Sequence, residues 1–473
     1  MHLSTLLRSR LSHFLTTLLL AAWSGTILAA EHAVPVGLHK QLLVDDHVVA
    51  ETVNLTRRIG TVTKANNGNP LHFFRTVKGS EKATVDAWPL FTSVYYDPAR
   101  QKFRMWHRVS LNDSSRRKTK ANATVEELGI GTSYYRGYSE STDGLNFELV
   151  SLLQGLTTSG DTNLVVTIDE HESDPAHRYK IGYDCDGPVH AAALAHSADG
   201  ISWTPYNRGK PVTYRASDFP NQIEWDPALK TYRLLTRTDF GDGGGPLAGK
   251  VDVKIGNKFL EVRGVRSMTN PDIKTHPEAW TLEHHFVLDG EESISPNRPP
   301  IEQRLKDPQY LERVRREALR RQIYAMTDWL YEGVHFGLIA VLEYPTDVSE
   351  GLQTDHVTRH ERSIENFYIA TCRDGVSWNF HWIYAGQQIV PRGTFRAWDK
   401  DMIFPTSRIV THQDKHWIYY GANNERHGSA EKNVHRCTGQ VGLFFPDVVC
   451  RQQAKKPANS PPARSAWKVG IWI

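Results

Sequence analysis

Apolar residues along the chain gather in short runs rich in Val, Ile, Tyr and Trp, and three of the breaks between runs read almost alike. They are "DPARQKFRMW" from Asp97, "DPAHRYKIGY" from Asp174 and "DPALKTYRLL" from Asp226. Asp can bond to its own backbone and Pro presets the first corner of a turn, so each break predicts a strand, a tight turn and a returning strand. A second repeat follows the hairpins: "STDGLNF" from Ser141, "SADGISW" from Ser197 and "CRDGVSW" from Cys372. In these, Asp-Gly makes the turn and the aromatic after it is expected in the core. A weaker copy, "SMTNPDIKTHPEAW" with Asp272 and Trp280, lies between the second and third.

Stacked on one another, the repeats give an inner strand, the Asp-Pro hairpin, a second and a third strand, then an Asp-Gly turn into an outer strand. Five inner strands are expected, near "DAWPLFTSVYY" (from Asp86), "DTNLVVTID" (from Asp161), "NQIEWD" (from Asn221), "YEGVHFGLIAVLEY" (from Tyr331) and "DMIFPTSRIV" (from Asp401). Four-strand units recurring at roughly 50 to 75 residues predict propeller blades, so the expected fold is all-β, a five-bladed β-propeller. Two segments break the period. "GDGGGPLAGKVDVKIGNKF", from Gly241, predicts a glycine-rich loop and an extra hairpin around Gly256-Asn257. "DPQYLERVRREALRRQIYAM" predicts one inserted helix at about 307–322, with Asp307 as N-cap, Pro308 in the first turn, and Leu311, Val314 and Ala318 on one face. "KQLLVDDHVVA", from Lys40, alternates as a strand that would complete the last blade, and residues 451–473, rich in Pro, Ala and basic residues, read as a poorly ordered tail.

Composition changes this picture little. Lys+Arg 56 against Asp+Glu 53 in 473 residues leaves a net charge of +3, which gives no electrostatic footprint for nucleic acid or anionic membrane. The start of the chain matters more. Arg8 and Arg10 precede an apolar stretch from Leu11, and Ala29 and Ala30 precede Glu31, the pattern of a secretory signal. Residues 1–30 are therefore expected to be a signal peptide and 31–450 the propeller domain of a secreted or periplasmic protein. The other reading is an uncleaved anchor, since Leu11–Ala30 is barely long enough to span a bilayer. The four cysteines include no CxxC pair, so neither a disulfide scaffold nor a metal knuckle is expected.

Candidate chemistry follows from strand order. In a propeller the inner strands surround a channel, so residues at one end of them converge on one mouth. Those positions carry Asp86, Asp161, Asp218 and Asn221 with Glu224 further in, Glu332, and Asp399 with Asp401. Trp88, Trp329 and Trp398 lie close by in sequence. Each Asp could equally cap a turn, and each Trp could equally pack in the core. Taken jointly, carboxylates that exchange protons beside flat apolar faces suit glycoside chemistry, and clustering pushes their pKa values apart.

The stretches "LLVDDHVVAET", "YYDPARQKFRMW", "YSESTDGLNFE", "NQIEWDPALKTYRLLTR", "YEGVHFGLI" and "WDKDMIFPTSRIV…WIYYGANNERHG" together resemble the five-bladed propeller glycoside hydrolases related to families 32 and 43, in a divergent exported form. The resemblance implies Asp86 as base or nucleophile, Asp161 as the residue that orients and tunes, and Glu332 or Glu224 as proton donor. Trp88, Asp218, Asn221, Arg237, Asp399 and Asp401 would then bind an oligo- or polysaccharide. It implies no required cofactor or metal; a channel cation, sometimes seen in such proteins, would use a histidine such as His335, for which core packing is the simpler account. The "NDPNG", "RDP" and "EC" signatures of the sucrose-type enzymes are absent, so fructan activity is not implied. The alternative function is a non-catalytic propeller that binds glycan or protein at the same mouth. Oligomeric state is left open.

Overall fold

The structure, a computed structural model, describes residues 34, 40–49, 51, 53–54, 57–60, 62–73, 83–113, 134–156, 164–185, 191–213, 220–240, 247, 249–251, 254–255, 258–259, 262–344, 363–394, 397–424, 426, 442–446, 449–451 and 470–472. Both the signal segment and the chain's Asp161 and Asp218 lie outside them.

Strand β1 (Val62–Lys64) is paired by the far end of the chain. The first unit holds β2 (His72–Phe73), β3 (Ala83–Asp97), β4 (Lys102–Asp113), β5 (Tyr134–Ser141) and β6 (Asn146–Leu152), in the order β2-β6-β5-β4-β3. The second holds β7 (Leu164–Ile168), β8 (Tyr179–Cys185), β9 (Ala191–Ser197) and β10 (Thr204–Pro205), in the order β10-β9-β8-β7. The third begins with β11 (Gln222–Asp226) and β12 (Thr231–Asp239). After a small hairpin of β13 (Lys254–Ile255) and β14 (Lys258–Phe259), it ends with β15 (Arg263–Asn270) and β16 (Thr281–Phe286), ordered β11-β12-β15-β16. The remaining strands are β17 (Arg321–Tyr331), β18 (Val334–Glu343), β19 (Ile364–Cys372), β20 (Met402–Pro405), β21 (Val410–His412), β22 (Lys415–Asn423) and β23 (Gly442–Pro446). With β1 they make one eight-stranded sheet, ordered β1-β23-β22-β20-β19-β18-β17 with β21 on β22.

Both sequence repeats form the turns expected of them. The Asp97, Asp174 and Asp226 carboxylates accept from the backbone N–H two residues on, at 3.1, 3.0 and 3.0 Å. At the second repeat, Asp143, Asp199 and Asp374 accept from Leu145, Ile201 and Val376, and Gly144, Gly200 and Gly375 take φ of 73, 79 and 74°. The aromatics that follow, Phe147, Trp203 and Trp378, are buried.

Neighbouring units are stitched at their inner strands. Tyr95 of β3 donates to Val166 O at 3.0 Å, and Ser93 accepts from Val166 N at 2.9 Å. Tyr232 of β12 donates to Asp169, just past β7, at 2.9 Å. Gln222 of β11 makes a reciprocal pair with the backbone of Asp328 in β17, at 2.7 and 2.6 Å. Thr327 of β17 donates to Thr406 O at 3.1 Å, and Ser407 N returns to Thr92 O at 2.8 Å. The order closes on its own beginning, which is a propeller arrangement.

Among the described residues the first three units form separate sheets. After Cys372 the chain makes single bridges and the short helix His381–Tyr384 rather than a fourth strand. The edge of β19 is thus left open, and β20 pairs with it in parallel at Glu365–Met402, merging the last two units into one sheet. The inserted helix runs Pro308–Arg320, with Asp307 accepting from Gln309 N at 2.9 Å. Its Tyr310, Val314 and Ala318 pack on Phe240, Val251 and Val262. The expected strand at Lys40 is absent: Asp45 and Asp46 bend the backbone there, Leu42 and Val44 pack into the core, and β1 takes the closing place by pairing β23. Within the tail, Gly470–Trp472 pairs with Val449–Arg451.

Candidate functional site

Where each inner strand runs decides which residues can meet. Hairpin turns sit at the trailing ends of β3, β7, β11 and β17, and here the expected set divides. Asp86 lies near the start of β3, opposite Ser110, with only its backbone described, as is that of Trp88. Glu332 lies at the other end: it forms the two-residue turn Glu332-Gly333 after β17, with φ of 48 and 73°, rather than the interior of an apolar strand. It occupies the place that Asp-Pro holds in the first three units. There it is exposed and 3.7 Å from Lys40.

Other expected residues are bound into the scaffold. Buried Asn221 accepts from Thr236 at 2.6 Å, and its carbonyl lies against Gly182. Arg237 is buried in β12. Asp399 is buried, ion-paired with Lys64 and accepting from Tyr420 at 2.9 Å, and Asp401 pairs with Lys400. Trp329 is in the core, stacked on Tyr331, while Trp398 stacks on Tyr420. His335 is held by Asp328 at 2.7 Å, and among the described residues no group of His, Cys, Asp and Glu is arranged around a metal position.

A cavity of about 640 Å³ opens at the trailing ends of the inner strands. Tyr95 from β3, Thr167 from β7, Glu224 from β11, Leu330 from β17 and Arg408 after β20 all line it, so every inner segment contributes and the cavity lies where the units converge. Glu224 is half-buried in its wall. Burial pushes its pKa up to about 7; the Arg408 charge opposes this and Asp328 adds to it. Behind it, burial works against the Asp328 charge, but His335 and Arg233 outweigh that and hold Asp328 below the ordinary carboxylate value. Arg233 reaches Asp328 at 2.7 Å and Asp226 at 3.4 Å. Two carboxyl groups in adjoining strands are thereby pushed apart, Glu224 toward the neutral acid and Asp328 toward the ion.

Two of the cavity's other carboxylates are anchored, and the third, Glu170, is exposed. Asp169 is 2.7 Å from Lys180, and Asp97 is 3.6 Å from Arg104. Tyr95, Tyr179 and Trp225 supply ring faces, the last stacked on His171 at 3.8 Å. Tyr95, Trp225, Arg178 and Arg408 were not among the expected site residues. A signal for the two aromatics is present in the sequence, since "YYDPA" and "EWDPA" place them just ahead of the Asp-Pro turns and so at one mouth.

No protein-family model matches the chain, and no curated protein sequence does. Solved structures with partial likeness include the β-1,2-mannobiose phosphorylase from Listeria innocua in complex with β-1,2-mannobiose (12% identity, 84% of this chain and 97% of that one, TM-score 0.43). A family 117 glycoside hydrolase of the marine bacterium Zobellia galactanivorans gives 12%, 83%, 91% and 0.40. An α-L-arabinofuranosidase from Podospora anserina in complex with cellotriose gives 10%, 83%, 98% and 0.41.

Proposed function

We propose that this protein is an exported, five-bladed propeller glycoside hydrolase-like enzyme, related in kind to families 32 and 43, with Glu224 as the proton donor. The observation that carries the reading is a carboxyl group raised to about 7 in the wall of a cavity to which all five inner segments contribute. A general acid works best when its pKa lies near the working pH, and a leaving glycosidic oxygen needs that proton. Asp169, fixed by Lys180 and Tyr232, is a negative charge facing the same space and would stabilise the developing positive centre. Tyr95 and Trp225 would receive the C–H faces of an oligo- or polysaccharide. Asp86 would serve as base or nucleophile if the substrate reaches along the axis to the start of β3, with Asp161 as the orienting residue. Residues 1–30 would be the export signal, giving a secreted or periplasmic enzyme; no helix among the described residues is long and apolar enough to cross a membrane.

The test is release of reducing ends from plant and algal polysaccharide fragments by the purified protein. Cleavage should fall on the order of 100-fold or more in Glu224→Gln. Asp169→Asn and Asp86→Asn, compared side by side, tell which carboxylate is the partner. Full turnover by Glu224→Gln would remove Glu224 from the chemistry. The anchoring of Asp97 and Asp169 also favours a second reading, a glycan-binding propeller without turnover. That reading predicts saturable binding by the wild type with no product.

A further inference from the structure

We propose that the Glu224 cavity takes a glycan carrying an anionic group, a carboxylate or a sulfate ester, held by the guanidinium groups of Arg178 and Arg408. This rests on the carbohydrate reading above and narrows it to a substrate class. Arg178 lines the cavity half-buried, and its side chain makes no hydrogen bond or ion pair among the described residues. The other cations nearby are committed. Arg104 donates to Tyr138 and Tyr179 at 2.7 and 2.6 Å and lies by Asp97, and Lys180 is held by Asp169 and Glu172.

Arg408 lies over the face of Tyr95, 4.4 Å from the ring centre. Burial works against its charge, yet Tyr95, Glu224 and Glu170 more than offset this. On the acidic side, Asp97 and Asp169 are already matched by Arg104 and Lys180, and Glu170 is exposed. Glu224 is neutral for part of the time near pH 7. Setting matched pairs aside, the wall presents two guanidinium groups beside aromatic faces, with Glu170 as the remaining carboxylate, exposed at the rim. A planar guanidinium fork matches carboxylate and sulfate oxygens two at a time, which an ammonium cannot do. Two such forks near Tyr95 and Trp225 describe a sugar ring bearing an anion better than a neutral chain.

The experiment is calorimetric binding of four probes to the full-length mature protein: trigalacturonate, its methyl ester, a sulfated galactan oligosaccharide and its desulfated counterpart. At least one charged probe should bind 10-fold or more tighter than its neutral twin. Whichever does so identifies the anion as carboxylate or sulfate. Arg178→Ala should abolish that preference and Arg178→Lys should restore part of it. Equal binding within both pairs, no binding of any probe, or a preference that survives Arg178→Ala would overturn the proposal. Turnover is read separately. Cleavage that depends on Glu224 without a charge preference would leave the hydrolase standing and remove only the anion subsite. Charge-selective binding with no cleavage would do the reverse.

Discussion

At the residue scale, Glu224 is the group whose protonation matters most. Its neutral form is favoured by the fold, so its contribution to stability is complete below about 4.5, its ordinary value, and is lost as pH rises through about 7. Glu224→Gln should therefore flatten part of the decline in melting temperature between those two pH values. The rate of cleavage, which needs the protonated acid, should fall above about pH 7 with the same midpoint. Asp328 tests the neighbouring charge from the other side. Asp328→Asn takes the nearer of two carboxylates from buried Arg233 and His335, leaving Asp226 at 3.4 and 3.8 Å, and should cost about 3 kcal/mol in denaturant unfolding. Glu332→Gln, by contrast, touches an exposed turn and should leave both cleavage and stability within about 1 kcal/mol of wild type.

At the element scale, the turns explain what could be read from the sequence and what could not. Asp-Pro and Asp-Gly act through bonds to backbone groups two or three residues away, so "DPA" and "DG" disclosed the hairpins without help from the rest of the chain. The helix at Pro308–Arg320 was legible for the same local reason, a cap at Asp307 and a stripe of apolar positions. The merger of β19 with β20, the displacement of the Lys40 segment by β1, and the turn at Glu332 depend on partners far away in sequence. No local pattern encodes them. Glu332 was misplaced because "WLYEGVHFG" alternates as one strand, whereas positive φ at Glu332 and Gly333 folds it in two. The glycines give a graded test. A Cβ at Gly200 would meet Trp106 at 2.8 Å as well as carrying positive φ, so Gly200→Ala should cost at least about 2 kcal/mol. Gly333→Ala, with nothing within 4 Å, should cost only about 1 kcal/mol from its backbone angle.

At the scale of the whole molecule, the candidate site exists because the ring closes. Glu224, Tyr95 and Arg408 are far apart in sequence and meet only when the inner strands are stitched in order. Gln222 is the stitch nearest the acid, accepting from Asp328 N and donating to Asp328 O in the interior. Gln222→Leu would leave both backbone groups unmatched, at about 1–3 kcal/mol each. It should also loosen the wall that carries Glu224, so that binding of glycan weakens along with stability. Strand order in the sequence predicts that distant carboxylates converge at one opening of a propeller. Among the described candidate acids, Glu224 lines the opening at the trailing ends of the inner strands, whereas Asp86 lies near the leading end of β3.

The most direct measurement is the protonation of Glu224 itself, which requires no substrate. The infrared difference between wild type and Glu224→Gln, followed from pH 4 to pH 9, isolates the carbonyl band of one protonated carboxylic acid. This band should persist at pH 6 and be lost with a midpoint near pH 7. A band already gone by pH 5.5, as for a solvated glutamate, would contradict this expectation.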